Sequence, residues 1–242
     1  MKKYNSQYNQ DKLVDFLLKK NNGIFIDIGA NDGVSYSNSY FFEKERNWKG
    51  ICIEPILETF KDLTKIRECT CLNIGVWSEK KTLKFYRANG YAEMLSGIVD
   101  SFSQDHFNRL KSDIETSGGS LETIEIDVLP LNYILDEQGI KDVDFCSIDT
   151  EGSEYEILKA IDFNNYHFRV FAIENNYHLQ NIRELLQQKG YCHLTRLGGD
   201  DIFISKKETS KLKLRFLYFR INQKIESVQK RLFKRNKFDS LL

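Results

Sequence analysis

The chain has 242 residues with 35 Lys+Arg against 35 Asp+Glu, a length that suits one large domain or a domain with an appendage rather than two small domains. Hydrophobic residues make up 41% and there are only two prolines, which supplies a buried core and excludes global disorder. The neutral total is uneven: residues 206–242 hold 12 Lys+Arg and 3 Asp+Glu, so the tail carries +9 and the preceding body −9. Such a split points to a basic appendage with an anionic partner: a membrane, a polyanion or the body itself.

In chain order, residues 11–20 predict a short amphipathic helix that ends at Asn21-Asn22-Gly23. Residues 23–28 form a β-branched apolar run that fits a strand buried on both faces, followed by a Gly29-to-Gly33 loop and a helix. The beat repeats with a strand over 50–54, a helix over 57–66 and a strand over 69–74, and this alternation implies a parallel sheet. Residues 82–87 read as an edge strand, 89–120 as a polar, loop-rich insertion that suits a lid or an acceptor-binding segment, and 121–128 as a strand. Strands over 144–148 and 169–173, each with a helix after it (153–160 and 179–189), and a hairpin over 191–196 and 201–205 complete the sheet.

The five cysteines, Cys52, Cys69, Cys71, Cys146 and Cys192, are odd in number and lack C-x-x-C spacing, so they read as reduced core residues. No apolar leader follows Lys2 and Lys3, and no stretch approaches 18 apolar residues, which predicts a cytoplasmic protein.

In open α/β sheets, ligands lie beyond the carboxyl ends of the strands. Here those ends read Asp27 with the Gly29-to-Gly33 loop, Glu54-Pro55, Asp149-Thr150-Glu151-Gly152 and Glu174-Asn175-Asn176. Glu54, 27 residues after Asp27, is placed to accept hydrogen bonds from both ribose hydroxyls of a nucleoside, as in NAD or S-adenosylmethionine. The dinucleotide pattern G-x-G-x-x-G is absent. The loop reads G-A-N-D-G, with Asp32 where a pyrophosphate needs amide donors, and suits a ligand carrying sulfonium and ammonium groups. The competing readings are helix caps or solvated loop acids for Asp27 and Glu54, and a plain tight turn for Gly29 and Gly33.

The runs FIDIGANDG (25–33), IEP (53–55) and SIDTEGSE (147–154), with Ser37-Asn38, Ser96-Gly97 and Ile173-Glu174-Asn175, resemble the FkbM-type family of S-adenosylmethionine-dependent methyltransferases over roughly residues 20–205. The resemblance implies a Rossmann-like class I α/β fold, a mostly parallel seven-stranded sheet with helices on both faces. It also implies methyl transfer to a hydroxyl, often on sugars of surface polysaccharides and glycolipids, sometimes on polyketide-type natural products. By position, Asp27, Gly29, Asn31 and Gly33 would surround the methionine part, Glu54 the ribose, and Asn73 and Val76 the adenine. Ala30, Ser37, Asn38, Pro55 and Asp149 complete the implied cofactor-binding set.

Methylating an alcohol requires removal of its proton by a base or stabilisation of the alkoxide by a metal. Asp149, Glu174 and Asn175 are similar to the Asp and acid-Asn arrangement that catechol O-methyltransferase uses for magnesium, and are the expected ligands of Mg²⁺ or Mn²⁺. Without metal, Asp149 would orient the methionine or acceptor, Glu174 would be a structural acceptor, and the base would be Asp149, Glu151 or His178. His106, His167 and His193 rank below His178, and Glu151 and Glu154 also suit capping of the next helix.

In the tail, Ile221, Ile225, Val228 and Leu232 fall on one helical stripe flanked by Lys224, Lys230 and Arg231. That basic amphipathic helix fits peripheral contact with anionic inner-leaflet lipid, or homodimerisation or packing on the acidic body. The expectation is therefore a methyltransferase domain over 1–205, with its lid at 89–120, and a helical tail over 206–242. Its acceptor would be a sugar, nucleotide-sugar or polysaccharide hydroxyl. A natural-product O-methyltransferase and a non-catalytic membrane- or nucleic-acid-binding module are the rivals, and the acidic body argues against a nucleic-acid partner.

Overall fold

The computed structural model describes residues 3–176 and 178–239, with side chains described through Ile225. Helix α1 (Gln10–Leu18) buries Leu13, Val14 and Leu17 and stops at Lys19, whose left-handed backbone (φ 46°) donates its N–H to the Asp15 carbonyl. It thus ends before residue 20.

The main sheet contains β1 (Ile24–Ile28), β2 (Lys49–Ile53), β3 (Thr70–Leu72), β8 (Asp142–Ile148), β9 (His167–Glu174), β10 (Tyr191–Leu197) and β11 (Asp200–Ser205). Their spatial order is β10-β11-β9-β8-β1-β2-β3, with β11 antiparallel to both neighbours and every other pairing parallel. This is the seven-stranded, mostly parallel architecture expected. The order reverses at β1, which pairs with β2 on one side and β8 on the other, so a crevice opens at their carboxyl ends.

Period-2 alternation sends Ile26 and Ile28 into one core with Ile51, Ile148 and Phe171, while Phe25 enters the opposite core with Leu17, Phe42 and Phe145. Asp27 shares the parity of Phe25. The helices that cover the two faces include α2 (Tyr40–Arg46), α3 (Leu57–Ile66), α5 (Leu131–Glu137), α6 (Glu154–Lys159) and α7 (Gln180–Gln188).

The second sheet corrects several expectations. β4 (Gly75–Val76), β5 (Lys81–Asn89), β6 (Gly97–Ile98) and β7 (Ser120–Leu129) form a separate four-stranded sheet in the order β4-β7-β5-β6. Residues 82–87 are therefore an inner strand of this sheet, paired antiparallel with β7 from Lys81↔Val128 to Asn89↔Ser120, and not an edge of the main one. The run 69–74 ends early, because Gly75-Val76 leave β3 to pair with β7. The segment 89–120 is mostly helical: a 3₁₀ turn over Gly90–Leu95 and the fourteen-residue α4 (Gln104–Ser117), capped by the Ser103 hydroxyl on the His106 N–H. α4 packs Phe107, Leu110 and Ile114, at i, i+3, i+7 spacing, against the second sheet's side, and these three apolar residues among polar ones read as loop in the sequence. α5 also escaped the sequence reading; it is seven residues long and starts after Pro130.

Helix α8 (Thr209–Asp239) packs on α1 through Leu212 and Phe219, with the Phe16 and Phe219 rings 5.3 Å apart, and Arg215 Nη1 donates to the Leu18 carbonyl at 3.1 Å. The side chains of Val228, Lys230, Arg231 and Leu232 lie outside those described. All five cysteines are free, and no helix among the described residues is long and apolar enough to cross a membrane.

Candidate functional site

A cleft of about 470 Å³ opens at the carboxyl ends of β1, β2, β8 and β9. Residues of the second sheet and the insertion, among them Phe85, Tyr91, Met94, Ile98 and Arg109, form its opposite wall.

The glycine loop is held by backbone bonds on both sides. Gly29 and Ala30 both donate N–H to the Ile53 carbonyl at 3.0 Å, and Asp149 donates N–H to the Ile28 carbonyl at 3.0 Å. Gly29 has φ +81°, and a Cβ there would lie 1.8 Å from the Asp149 carbonyl oxygen, so only glycine fits between the two strand ends. Asn31, also left-handed, donates its N–H to Glu54 Oε2 at 3.0 Å, while Glu54 Oε1 accepts the Ile56 N–H at 2.9 Å. Burial pushes the Glu54 carboxyl up to about 7.

Ala30, Asn31, Ser37, Asn38, Pro55 and Val76 line the cleft with Asp27, Gly29, Glu54 and Asp149. Two expected residues act from behind it. Asn73 donates Nδ2 to the Glu54 and Pro55 carbonyls at 2.9 Å, which fixes the loop after β2 without facing the cleft. Gly33 packs under Leu63 and Arg67, whose atoms a Cβ would meet at 2.5 and 2.8 Å.

Asp27 is buried, and its carboxylate accepts the Ser37 and Ser39 hydroxyls; burial raises its pKa, opposed first by nearby Arg67. Arg67 is the main residue that the sequence did not reveal. Its buried guanidinium donates to Glu43 Oε2 at 2.7 Å, to the Gly33 carbonyl at 3.1 Å and to Ser39 Oγ at 2.9 Å. It thereby ties the glycine loop, α2 and the Asp27 network together, yet a single arginine after a helix carries no motif. Asn38 donates Nδ2 to Ser147 Oγ at 3.0 Å, but its buried Oδ1 has no hydrogen-bond partner among the described residues.

Across the floor, Asp149, Glu151 and Glu174 bring one carboxylate oxygen each within 4.8 Å of the others. Glu151 takes a left-handed backbone and donates its N–H to Glu174 Oε2 at 3.2 Å. Asp149 is accessible to water in the cleft; the protein packed around it, then Asp200 and Glu154, push its carboxyl up to about 7. Burial first and neighbouring acids second also raise Glu151 and Glu174 well above the usual carboxylate range. Glu154 caps the turn into α6 by accepting from the Thr150 N–H (2.9 Å) and hydroxyl (2.8 Å).

Two expected residues lie elsewhere. Asn175 follows Glu174 just past the end of β9 and turns to the other side: its Nδ2 donates to Asp201 Oδ2 at 2.9 Å and its Oδ1 accepts the Leu179 N–H at 2.6 Å. Glu151 stands in the oxygen cluster instead. His178 is exposed, does not line the cleft, and has Nδ1 3.3 Å from Arg196 Nη1. The histidine near the acids is His106 of α4, stacked on Phe102 with its Nε2 3.6 Å from Glu151 Oε2.

The family described as Methyltransferase FkbM domain matches residues 27–192, which include both the glycine loop and the acid cluster. The chain belongs to the FkbM methyltransferase family. The family is one of S-adenosylmethionine-dependent methyltransferases. No curated protein matches the chain.

Among solved structures, methyltransferase FkbM from Methylobacillus flagellatus KT is 17% identical with a TM-score of 0.42, covering 76% of this chain and 43% of its own. The METTL16 MTase domain is 13% identical with a TM-score of 0.43, covering 81% of this chain and 64% of its own. A TehB-like SAM-dependent methyltransferase from Corynebacterium glutamicum ATCC 13032 Kitasato is 9% identical with a TM-score of 0.41, covering 84% and 90%. This FkbM chain thus spans less than two thirds of the length of the first two.

Proposed function

We propose that this FkbM-family chain methylates a hydroxyl of a sugar in a surface polysaccharide or glycolipid, or in its nucleotide-activated precursor, using S-adenosylmethionine. The observation that carries the reading is the meeting, in one cleft, of the Glu54 and glycine-loop wall with Asp149 on the next strand end. The residues present fit the cofactor: Glu54 for the ribose hydroxyls, Ile56 and Val76 for the adenine faces, and Asn38 Oδ1, without a partner among the described residues, for an ammonium donor. When bound, S-adenosylmethionine supplies an electrophilic methyl group.

The chain's own part is to place the acceptor and move its proton. Asp149, with a pKa of about 7, takes the hydroxyl proton, since a base near neutrality is ionised often enough and still basic enough. Burial and the neighbouring acids raise Glu151 and Glu174 beside it well above the usual carboxylate range, which disfavours three full charges on the floor at once. A cytoplasmic setting goes with the five free cysteines.

A second reading is favoured by the three oxygens within 4.8 Å: Mg²⁺ or Mn²⁺ held by Asp149, Glu151 and Glu174 would bind the acceptor hydroxyl. Incubation with methyl-labelled S-adenosylmethionine and a panel of polysaccharides and nucleotide sugars tests the acceptor class. Label recovered in an O-methyl sugar supports it, and label recovered only in another acceptor class rejects it.

A further inference from the structure

We propose that α8 is a peripheral membrane-docking helix that lays an exposed apolar stripe on a bilayer surface bearing anionic headgroups. The helix has two apolar faces. Leu212, Phe216 and Phe219 turn inward, where Leu212 and Phe219 are buried with α1. On the opposite side, Leu214, Leu217, Tyr218, Ile221 and Ile225 follow i, i+3, i+4, i+7, i+11 spacing, each at least 45% exposed. Isolated exposed apolar residues are ordinary, but five in line make a contiguous patch of the kind that marks an interaction surface.

The charges bordering the stripe select the occupant. At about 100° per residue, Lys211 lies about 60° to one side of Leu214, while Lys213 and Arg220 lie about 100–120° to the other. All three are exposed, and residues 209–225 contain no Asp or Glu. Cationic borders around an apolar stripe match a lipid interface, where acyl chains take the stripe and headgroups meet cations that reach outward on long stems. Pairing two copies along the same stripe would instead bring Lys213 and Arg220 towards like charges, with no acid between 209 and 225 to offset them. The arrangement extends towards the N-terminus the stripe that the sequence placed at Ile221 and Ile225. The proposal stands independently of the acceptor.

The test is co-sedimentation of the full chain with vesicles of phosphatidylcholine, with and without about 30 mol % phosphatidylglycerol. The variants are Leu217→Ser/Ile221→Ser and Lys211→Gln/Lys213→Gln/Arg220→Gln, all at exposed positions, with unchanged circular dichroism required of each. The wild type is expected to pellet with the anionic vesicles and not with phosphatidylcholine alone. Each variant is expected to lose at least about tenfold in partition, and raised salt should weaken the wild type more than the charge variant. Failure of the wild type to pellet, or equal partition of the apolar variant, overturns the proposal. So does a wild-type dimer that the apolar variant converts to a monomer, which assigns the stripe to a second copy.

Discussion

The Cα of Gly29 lies against the backbone carbonyl of Asp149, so close that a Cβ on Gly29 would sit 1.8 Å from that oxygen. The glycine loop proposed to hold the cofactor and the proposed base are therefore set by one backbone contact between adjacent strands. Gly29→Ala must push the Asp149 turn away and also strain a backbone at φ +81°. The expected cost is about 3 kcal/mol in denaturant unfolding, with turnover lost beyond what the unfolded fraction explains. Wild-type stability and turnover in the variant would show that the contact relaxes freely.

Asp149→Asn keeps the side-chain shape and removes the base. Turnover should fall by roughly 10²–10⁴ while S-adenosylhomocysteine affinity stays within a few-fold, because the cost falls on proton removal and not on the cofactor. Wild-type kcat should rise with pH until about 7, where Asp149 becomes ionised, and then level off. Steady-state rates across pH check both, and an unchanged kcat in the variant rejects Asp149 as base.

The buried Glu54 carboxyl gives a stability signature. Its folded pKa of about 7 lies above the ordinary 4.5, so between these values the folded chain holds a proton that the unfolded chain has released. The stability that this group contributes is present below pH 4.5 and is lost as pH rises through 7. Glu54→Gln, which stays neutral, should therefore gain in Tm relative to wild type between about pH 5 and about pH 8. A Tm difference that does not move with pH contradicts this.

Removing Arg67 tests the hidden support of the loop. Arg67→Met leaves the Glu43 carboxylate and the Gly33 carbonyl without their buried donor. A loss of about 3–5 kcal/mol is expected in chemical denaturation. A variant as stable as wild type would mean that water replaces the guanidinium.

Metal dependence separates the two proton-removal readings. With Asp149 as base, exhaustive EDTA treatment leaves turnover intact. A loss restored by Mn²⁺, together with Mn²⁺ binding that disappears in Glu174→Gln, moves the role to the three carboxylates.

The parallel strands were readable because a strand buried on both faces is a mostly apolar run, broken in residues 24–28 only by Asp27 and in residues 144–148 by Asp144 and Ser147. The strand-end acids followed, since topology alone puts Asp27, Glu54, Asp149 and Glu174 on one side of the sheet. Which sheet a half-buried strand joins was not readable: β5 and β7 alternate much as any edge strand would, and only their mutual register shows a second sheet. Nor were side-chain directions at strand ends. Asn175 turns to Asp201 and His178 to Arg196, while Glu151 reaches the cluster through a left-handed turn that no motif announced.

The most direct measurement is calorimetric titration of S-adenosylhomocysteine into the wild type and Glu54→Ala, because it needs no acceptor. The expected result, at about pH 8 where the Glu54 carboxyl of pKa about 7 is ionised, is stoichiometric binding to the wild type that weakens at least about tenfold in the variant, as loss of hydrogen bonds to a carboxylate demands. A folded wild type that does not bind, or a Glu54→Ala variant that binds equally well, would contradict the placing of the cofactor at this strand end.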